Sequence, residues 1–375
     1  MVKADIAILG HFARDKLVFR GTGTTEVSSG GAVYYGGIAL VHLGLQVAVI
    51  TRLKGEDFSL LEELREEGIL VFAQPAEQTS GMENIYFTDD MDRRICKPLG
   101  FAGPFRLEDI PDIGAKIFLI GPIMAGEVDI PLIKELAGKG GIALDAQGFV
   151  RFREGKKIVF KDWARKKEGL AYVNFLKADS VEAEVLTGEK DLKSAAEKLS
   201  AYGPKEVVLT HAAGVLVYAD GKYYEAPFKP RALRGRTGRG DTCFATYLGK
   251  RLTSPVEEAC RFAAALTSLK LERPGPFRGS IEEVEQFLAN GLYRNPLLRK
   301  HSSQERNRAS KEKTRTPSAP ASAPAPRCRP GTSHRHQLSG NCLPSLHLHH
   351  TQLLTAGPYL RLSTEITVST RLCRW

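Results

Sequence analysis

Apolar and polar positions alternate along the first 296 residues in two rhythms. Short apolar runs read as strands: A-D-I-A-I-L (4–9), Q-V-A-V-I-T-R-L (46–53), K-I-F-L-I-G (116–121), G-I-A-L-D-A (141–146), A-Y-V-N-F-L (171–176) and E-V-V-L-T-H (206–211). Helical patterns fall between them, such as G-G-A-V-Y-Y-G-G-I-A-L-V-H-L-G (30–44) and L-L-E-E-L-R-E-E-G (60–68). Strands separated by helices predict parallel pairing with crossover helices. The expected fold is therefore α/β, an open, mostly parallel sheet sandwiched by helices, with ligands at the C-terminal ends of the strands.

One segment breaks the rhythm. E-N-I-Y-F-T (83–88) and R-R-I-C-K-P-L-G (93–100) flank the polar turn 89–92, a hairpin placed where a lid or an edge decoration would be. A second break comes after Pro296, where T-P-S-A-P-A-S-A-P-A-P introduces Pro/Ser/Ala low complexity without sustained periodicity. Two parts are expected: a folded body, 1–296, and a disordered tail, 297–375, whose abrupt onset suggests a frameshift or readthrough extension.

Charge sharpens that division. The net charge is +10, yet after residue 296 there are 13 basic against 3 acidic side chains, and before it 40 of each. The body is neutral, so the excess is no nucleic-acid footprint, and the tail lacks the interleaved aromatics of a single-strand binder. Six scattered cysteines without C-x-x-C spacing suggest neither a zinc site nor a disulfide framework. No run approaches a membrane span, and a cytoplasmic setting is expected.

Candidate chemistry centres on G-R-T-G-R-G-D-T (235–242), which precedes a helical pattern. Gly238 and Gly240 allow a tight turn that aims successive N–H groups at one point, where the helix dipole adds positive potential. Asp241 beside such an anion hole is either a helix cap or a base that takes a proton from an attacking hydroxyl.

These residues resemble the second signature of the ribokinase-like (PfkB) carbohydrate kinases, usually D-T-x-G-A-G-D-[ST]. The 30–44 segment is similar to that family's di-glycine stretch and following helix. The resemblance covers roughly 6–288 and implies a ribokinase-like fold with lid elements near 12–35 and 83–100. It also implies ATP and Mg2+, and phosphorylation of a sugar, cyclic polyol (inositol-like) or nucleoside hydroxyl. By the same resemblance Asp241 is the base, and Gly238, Arg239 and Gly240 form the anion hole. Asp15, Gly30, Gly31 and Tyr35 face the acceptor. Thr210, Gly214, Thr237 and Gly275 border the nucleotide, and Asp179 with Glu182 matches N-x-x-E near the metal.

Departures accompany the match. Asp179 replaces the family's asparagine, and Tyr35 stands where an asparagine binds sugar. Arg239 replaces a small residue, and its guanidinium could contact phosphate. Gly235 replaces an aspartate that helps form a monovalent-cation site in several members, which argues against potassium activation. The rival expectation is a non-catalytic small-molecule-binding protein on the same fold. No G-x-x-x-x-G-K-[ST] occurs, and no G-x-G-x-x-G follows the first strand, so neither a P-loop enzyme nor a nicotinamide dehydrogenase is indicated. The expected partner is a small-molecule acceptor, with no nucleic acid or membrane, and the lid hairpin is a candidate homodimer contact.

Overall fold

Ile6 and Ile8 are fully buried on one side of the first strand, Val2–Leu9, and Ala7 and Leu9 are fully buried on the other. A strand apolar on both sides belongs to a sheet covered on both faces. A computed structural model of the chain describes residues 2–87, 93–292 and 373–374, all within one compact unit. The tail expected from residue 297 lies outside the described residues except for 373–374, and so does the turn of the 83–100 hairpin.

The principal sheet has nine strands in the order Lys222–Pro227, Gly214–Ala219, Glu206–His211, Phe175–Asp179, Gly141–Asp145, Ile113–Ile120, Val2–Leu9, Val47–Lys54, Leu70–Ala76. Seven of these pair in parallel. The two strands at the Lys222–Pro227 edge are antiparallel additions. One face packs on Ala32–His42, Arg239–Arg251, Val256–Leu271 and Ile281–Phe287 through Ile6, Ile8, Val47 and Val49. The other packs on Ile130–Ala137, Ser180–Thr187 and Leu192–Ser200 through Ala7, Leu9, Ala48 and Ile50. Among the described residues no helix is long and apolar enough to cross a membrane.

A second, smaller sheet carries Thr24–Gly30, Ala13–Phe19, Gly81–Tyr86 and Arg93–Gly100, with the two-residue strand Cys373–Arg374 at its edge. Val27, Lys16, Glu83 and Lys97 stand in one row across it, and Ser28, Asp15, Asn84 and Cys96 belong to the alternate positions. The first row is stitched by Lys16–Glu83 at 3.0 Å and Lys97–Glu83 at 3.8 Å. Asp15, Asn84 and Cys96 line a cavity instead. The expected hairpin is thus half of a larger sheet. Its partner strands were hidden because T-T-E-V-S-S has no apolar alternation to read.

Two expected elements shift. A-Y-V-N-F-L is not a strand throughout, because Tyr172 and Val173 close turns onto the Gly169 and Leu170 carbonyls. The strand begins at Phe175 and runs to Asp179, which moves Lys177 and Asp179 to its C-terminal end. L-L-E-E-L-R-E-E-G is a 3-10 turn, Gly55–Leu61, followed by only five α-helical residues, Glu62–Glu66.

Candidate active site

The glycine-rich loop runs along the end of helix Val256–Leu271, where the Arg234 and Gly235 amides donate to the Leu271 carbonyl at 2.9 and 3.0 Å. At Gly238 φ is 78°, and an added Cβ would fall 2.1 Å from the Tyr35 ring, so only glycine fits. Helix Arg239–Arg251 starts there without a side-chain cap, with Gly238 in the cap position and Asp241 in the first turn. Asp241 is therefore not the cap. Helix geometry leaves the Gly240 and Asp241 amides without intrahelical acceptors, the arrangement that receives an anion.

This helix start opens onto a cavity of about 170 Å³. Of the residues singled out in the sequence, Asp15, Gly31, Tyr35, Asp179, Thr210, Thr237, Gly238, Arg239, Gly240 and Asp241 line it. Asp15 is buried, lies within strand Ala13–Phe19 rather than on a loop, and accepts from the Met82 amide at 2.8 Å. Gly31, with φ 89°, approaches the His11 carbonyl so closely that a Cβ would come within 2.6 Å.

Three buried charges on and after strand Phe175–Asp179 organise the far wall. Lys177 is 3% exposed, and its Nζ lies 3.1 Å from Asp145 and 3.5 Å from Glu182. Burial works against its proton, but Asp145, Glu182 and Asp179 hold its pKa above the ordinary lysine value. Glu182 is fully buried. Its carboxylate meets Lys177 and Arg151, the latter at 3.1 Å, and accepts from the Asp179 amide at 2.8 Å. Against burial, Lys177 and Arg151 keep its pKa low. Burial, reinforced by Glu182, pushes Asp179 up to about 7, and burial pushes Asp145 up to about 6. Asp241 keeps part of its surface on the cavity, yet enclosure raises its pKa against the pull of Lys177, Arg151 and Lys270. An enclosed carboxylate of raised pKa, facing cations and helix-start amides, is suited to proton removal beside a phosphoryl group.

Known proteins resemble this chain. Residues 152–283 match the pfkB family carbohydrate kinases. The chain is 30% identical over 271 residues to a cytidine kinase of Thermococcus kodakarensis, spanning 68% of this chain and 92% of that protein. The chain belongs to the pfkB family of carbohydrate kinases. It is also similar to a pyrophosphate-dependent kinase of the ribokinase family solved with a pyrophosphate analog and myo-inositol, at 38% identity and TM-score 0.69, covering 75% of this chain and 99% of that one. A pyrophosphate-dependent myo-inositol-1 kinase whose substitution turned it into a myo-inositol-3 kinase is 36% identical, with TM-score 0.68, covering 76% and 99%. Family membership makes the chain an enzyme, and the rival reading of a non-catalytic binding protein falls away.

Not every residue nominated in this pfkB kinase reaches the cavity. Gly30 ends strand Thr24–Gly30, where a Cβ would stand 3.0 Å from Asp15 Oδ2, so its contribution is room for that carboxylate. Gly214 pairs with Pro227 across the antiparallel edge, where a Cβ would fall 2.4 Å from the Ala226 carbonyl. Gly275 has φ 79° in the turn after helix Val256–Leu271 and does not line the cavity. Among the lining residues that sequence reasoning does not single out are Asn84, Arg151, Lys177 and Arg236. Lys177 did carry a signal, a lone cation inside an apolar run destined for the middle of a sheet.

The family implies magnesium. Asp179 Oδ2 is buried without a hydrogen-bond partner, 3.7 Å from Arg151, and is the acceptor on this wall left open to a cation. Glu182 is spent on Lys177, Arg151 and its capping contact, so it does not fit as a direct ligand. Among the described residues no cluster of three His, Cys, Asp or Glu could hold a metal. A magnesium carried in by donor phosphates would find an acceptor on this wall in Asp179 Oδ2. Bound there, the ion would neutralise phosphate charge.

Proposed function

We propose that this kinase transfers a terminal phosphoryl group from a diphosphate donor to a hydroxyl of a ring polyol of the inositol kind. The acceptor oxygen forms a bond to phosphorus, the bridging P–O bond of the donor breaks, and the hydroxyl proton passes to Asp241. Arg239 and the helix-start amides offset the charge on the moving group. The observation that carries this reading is the composition of one cavity wall. It joins hydroxyl-binding groups (Asp15, Asn84, Tyr35) to a cationic set (Arg151, Lys177, Arg236, Arg239) and includes Asp241.

The family pattern points to ATP as donor. Pyrophosphate itself is supported by the four cations crowding a small cavity, which of the four residues expected beside a nucleotide includes Thr210 and Thr237 but not Gly214 or Gly275. The structures described above as pyrophosphate-dependent share 36 to 38% identity with this chain. The test is phosphorylation of myo-inositol, ribose and cytidine with magnesium and either pyrophosphate or ATP. We expect turnover with pyrophosphate and myo-inositol; turnover confined to ATP and cytidine would overturn both choices. A reducing, cytoplasmic setting is supported by the free thiols of Cys96, Cys243 and Cys260. The partner suited to the outer face of the small sheet, where Val27 and Leu99 stand 63% and 51% exposed, is a second copy of the chain.

A further inference from the structure

Lys270, in the last turn of helix Val256–Leu271, is a buried cation, only 2% exposed. Its Nζ donates to the Gly235 carbonyl at 2.5 Å and to the Thr237 carbonyl, and lies 5.0 Å from the centre of the Tyr35 ring. Both carbonyls belong to the loop whose continuation is the anion hole. In a trans peptide the carbonyl and the following N–H point in opposite directions. Holding the Gly235 and Thr237 carbonyls on Lys270 therefore turns the Arg236 and Gly238 amides the other way, and both of those residues line the cavity. Gly235 leaves no room for a carboxylate in this position, since even a Cβ would fall 1.8 Å from the Arg273 carbonyl. The positive charge gathered by the loop carbonyls thus comes from the helix beneath.

We propose that Lys270 is a positioning residue: its ammonium occupies the seat that a dehydrated monovalent cation would take among these carbonyls, and it holds the loop in its phosphoryl-receiving shape. The inference rests on the reading of the 235–241 loop as the phosphoryl site. Carbonyl oxygens coordinate potassium and accept hydrogen bonds from an ammonium with the same lone pairs, and a tethered ammonium needs no binding equilibrium. Burial draws the Lys270 pKa down to about 7, with Asp241 opposing and Arg239 adding to the effect. A cation held here at such cost without a function would be expensive to keep. The native enzyme should therefore be indifferent to potassium.

The test compares the native enzyme, Lys270→Met and Lys270→Gln in chloride salts of potassium, ammonium, sodium and tetramethylammonium at constant ionic strength, reading both turnover and the thermal midpoint. In every salt the native enzyme should turn over equally. In tetramethylammonium the neutral variants should lose about a hundredfold or more in turnover, as when one preorganised oxyanion contact is removed. Potassium or ammonium should restore at least about a tenth of that loss and raise the variants' midpoint but not the native one. Potassium activation of the native enzyme, native turnover in the variants, or folded variants deaf to every cation would each overturn the proposal. An enzyme silent with all donors would fail the kinase reading, while the midpoints would still decide the role of Lys270.

Discussion

At the scale of single residues the site turns on Asp241. As the proposed base, Asp241 must be ionised to accept the hydroxyl proton, so the rate should rise with pH through a pKa that enclosure displaces above the ordinary aspartate value. Asp241→Asn should fold normally and lose roughly two to four powers of ten in turnover, with the acid limb of its pH profile gone. Steady-state rates from pH 4 to 8 check this, and a variant with native turnover would remove Asp241 as base. This residue was nominated because a carboxylate beside an anion hole is either a helix cap or a base, and the family resemblance chose between the two. Asn84 and Arg151 were not, since an asparagine in a hairpin and an arginine near other charges look like ordinary surface until the chain folds back.

At the scale of elements, the small sheet and the principal sheet meet through a buried polar group. Glu127, fully buried, accepts from the Ile123 and Met124 amides at 2.7 and 2.8 Å and from the His11 amide at 3.4 Å. His11 in turn contacts Ser80 Oγ at 2.8 Å. Ser80 immediately precedes strand Gly81–Tyr86, and Ile123 lines the cavity. Burial raises Glu127 to about 8, against those three amides, and lowers His11 to about 3, so the two form a neutral pair at pH 7. A carboxyl whose folded pKa exceeds its unfolded one contributes stability in full below about 4.5, and this is lost as pH rises toward 8. From pH 5 to 8 the thermal midpoint of the native protein should fall further than that of Glu127→Gln, whose amide oxygen can keep the Ile123 and Met124 bonds. Parallel curves would show that Glu127 does not titrate in this window. Glu127→Ala, which leaves those donors buried and unmatched, should cost about 1–3 kcal/mol or more.

At the scale of the whole molecule, both apolar layers of the principal sheet and every described element except the two-residue strand Cys373–Arg374 lie within residues 2–292. We expect residues 1–296 alone to keep native turnover and thermal midpoint, measured side by side with the full chain; loss of either would give the tail a structural or catalytic part. Sedimentation of the same fragment should show a dimer, and Leu99→Glu, which charges the outer face of the small sheet, should reduce it to monomers. A fragment that is monomeric before the substitution would remove the second copy as partner.

The alternation of strands and helices in the body, the parallel sheet, and the glycine-rich loop with its aspartate were written locally, in periodicity and in residues whose backbone freedom or charge is unusual over a few positions. Tertiary structure alone decided which distant groups share a cavity. Asp15 and Asn84 come from the small sheet, Lys177 from the principal sheet, and Arg239 and Asp241 from a helix start, and no local pattern encodes that convergence. The same holds for Lys270, whose ammonium meets the Gly235 carbonyl across 35 positions of chain. Periodicity records which side of an element is buried, whereas the partner it is buried against depends on the path of the entire chain.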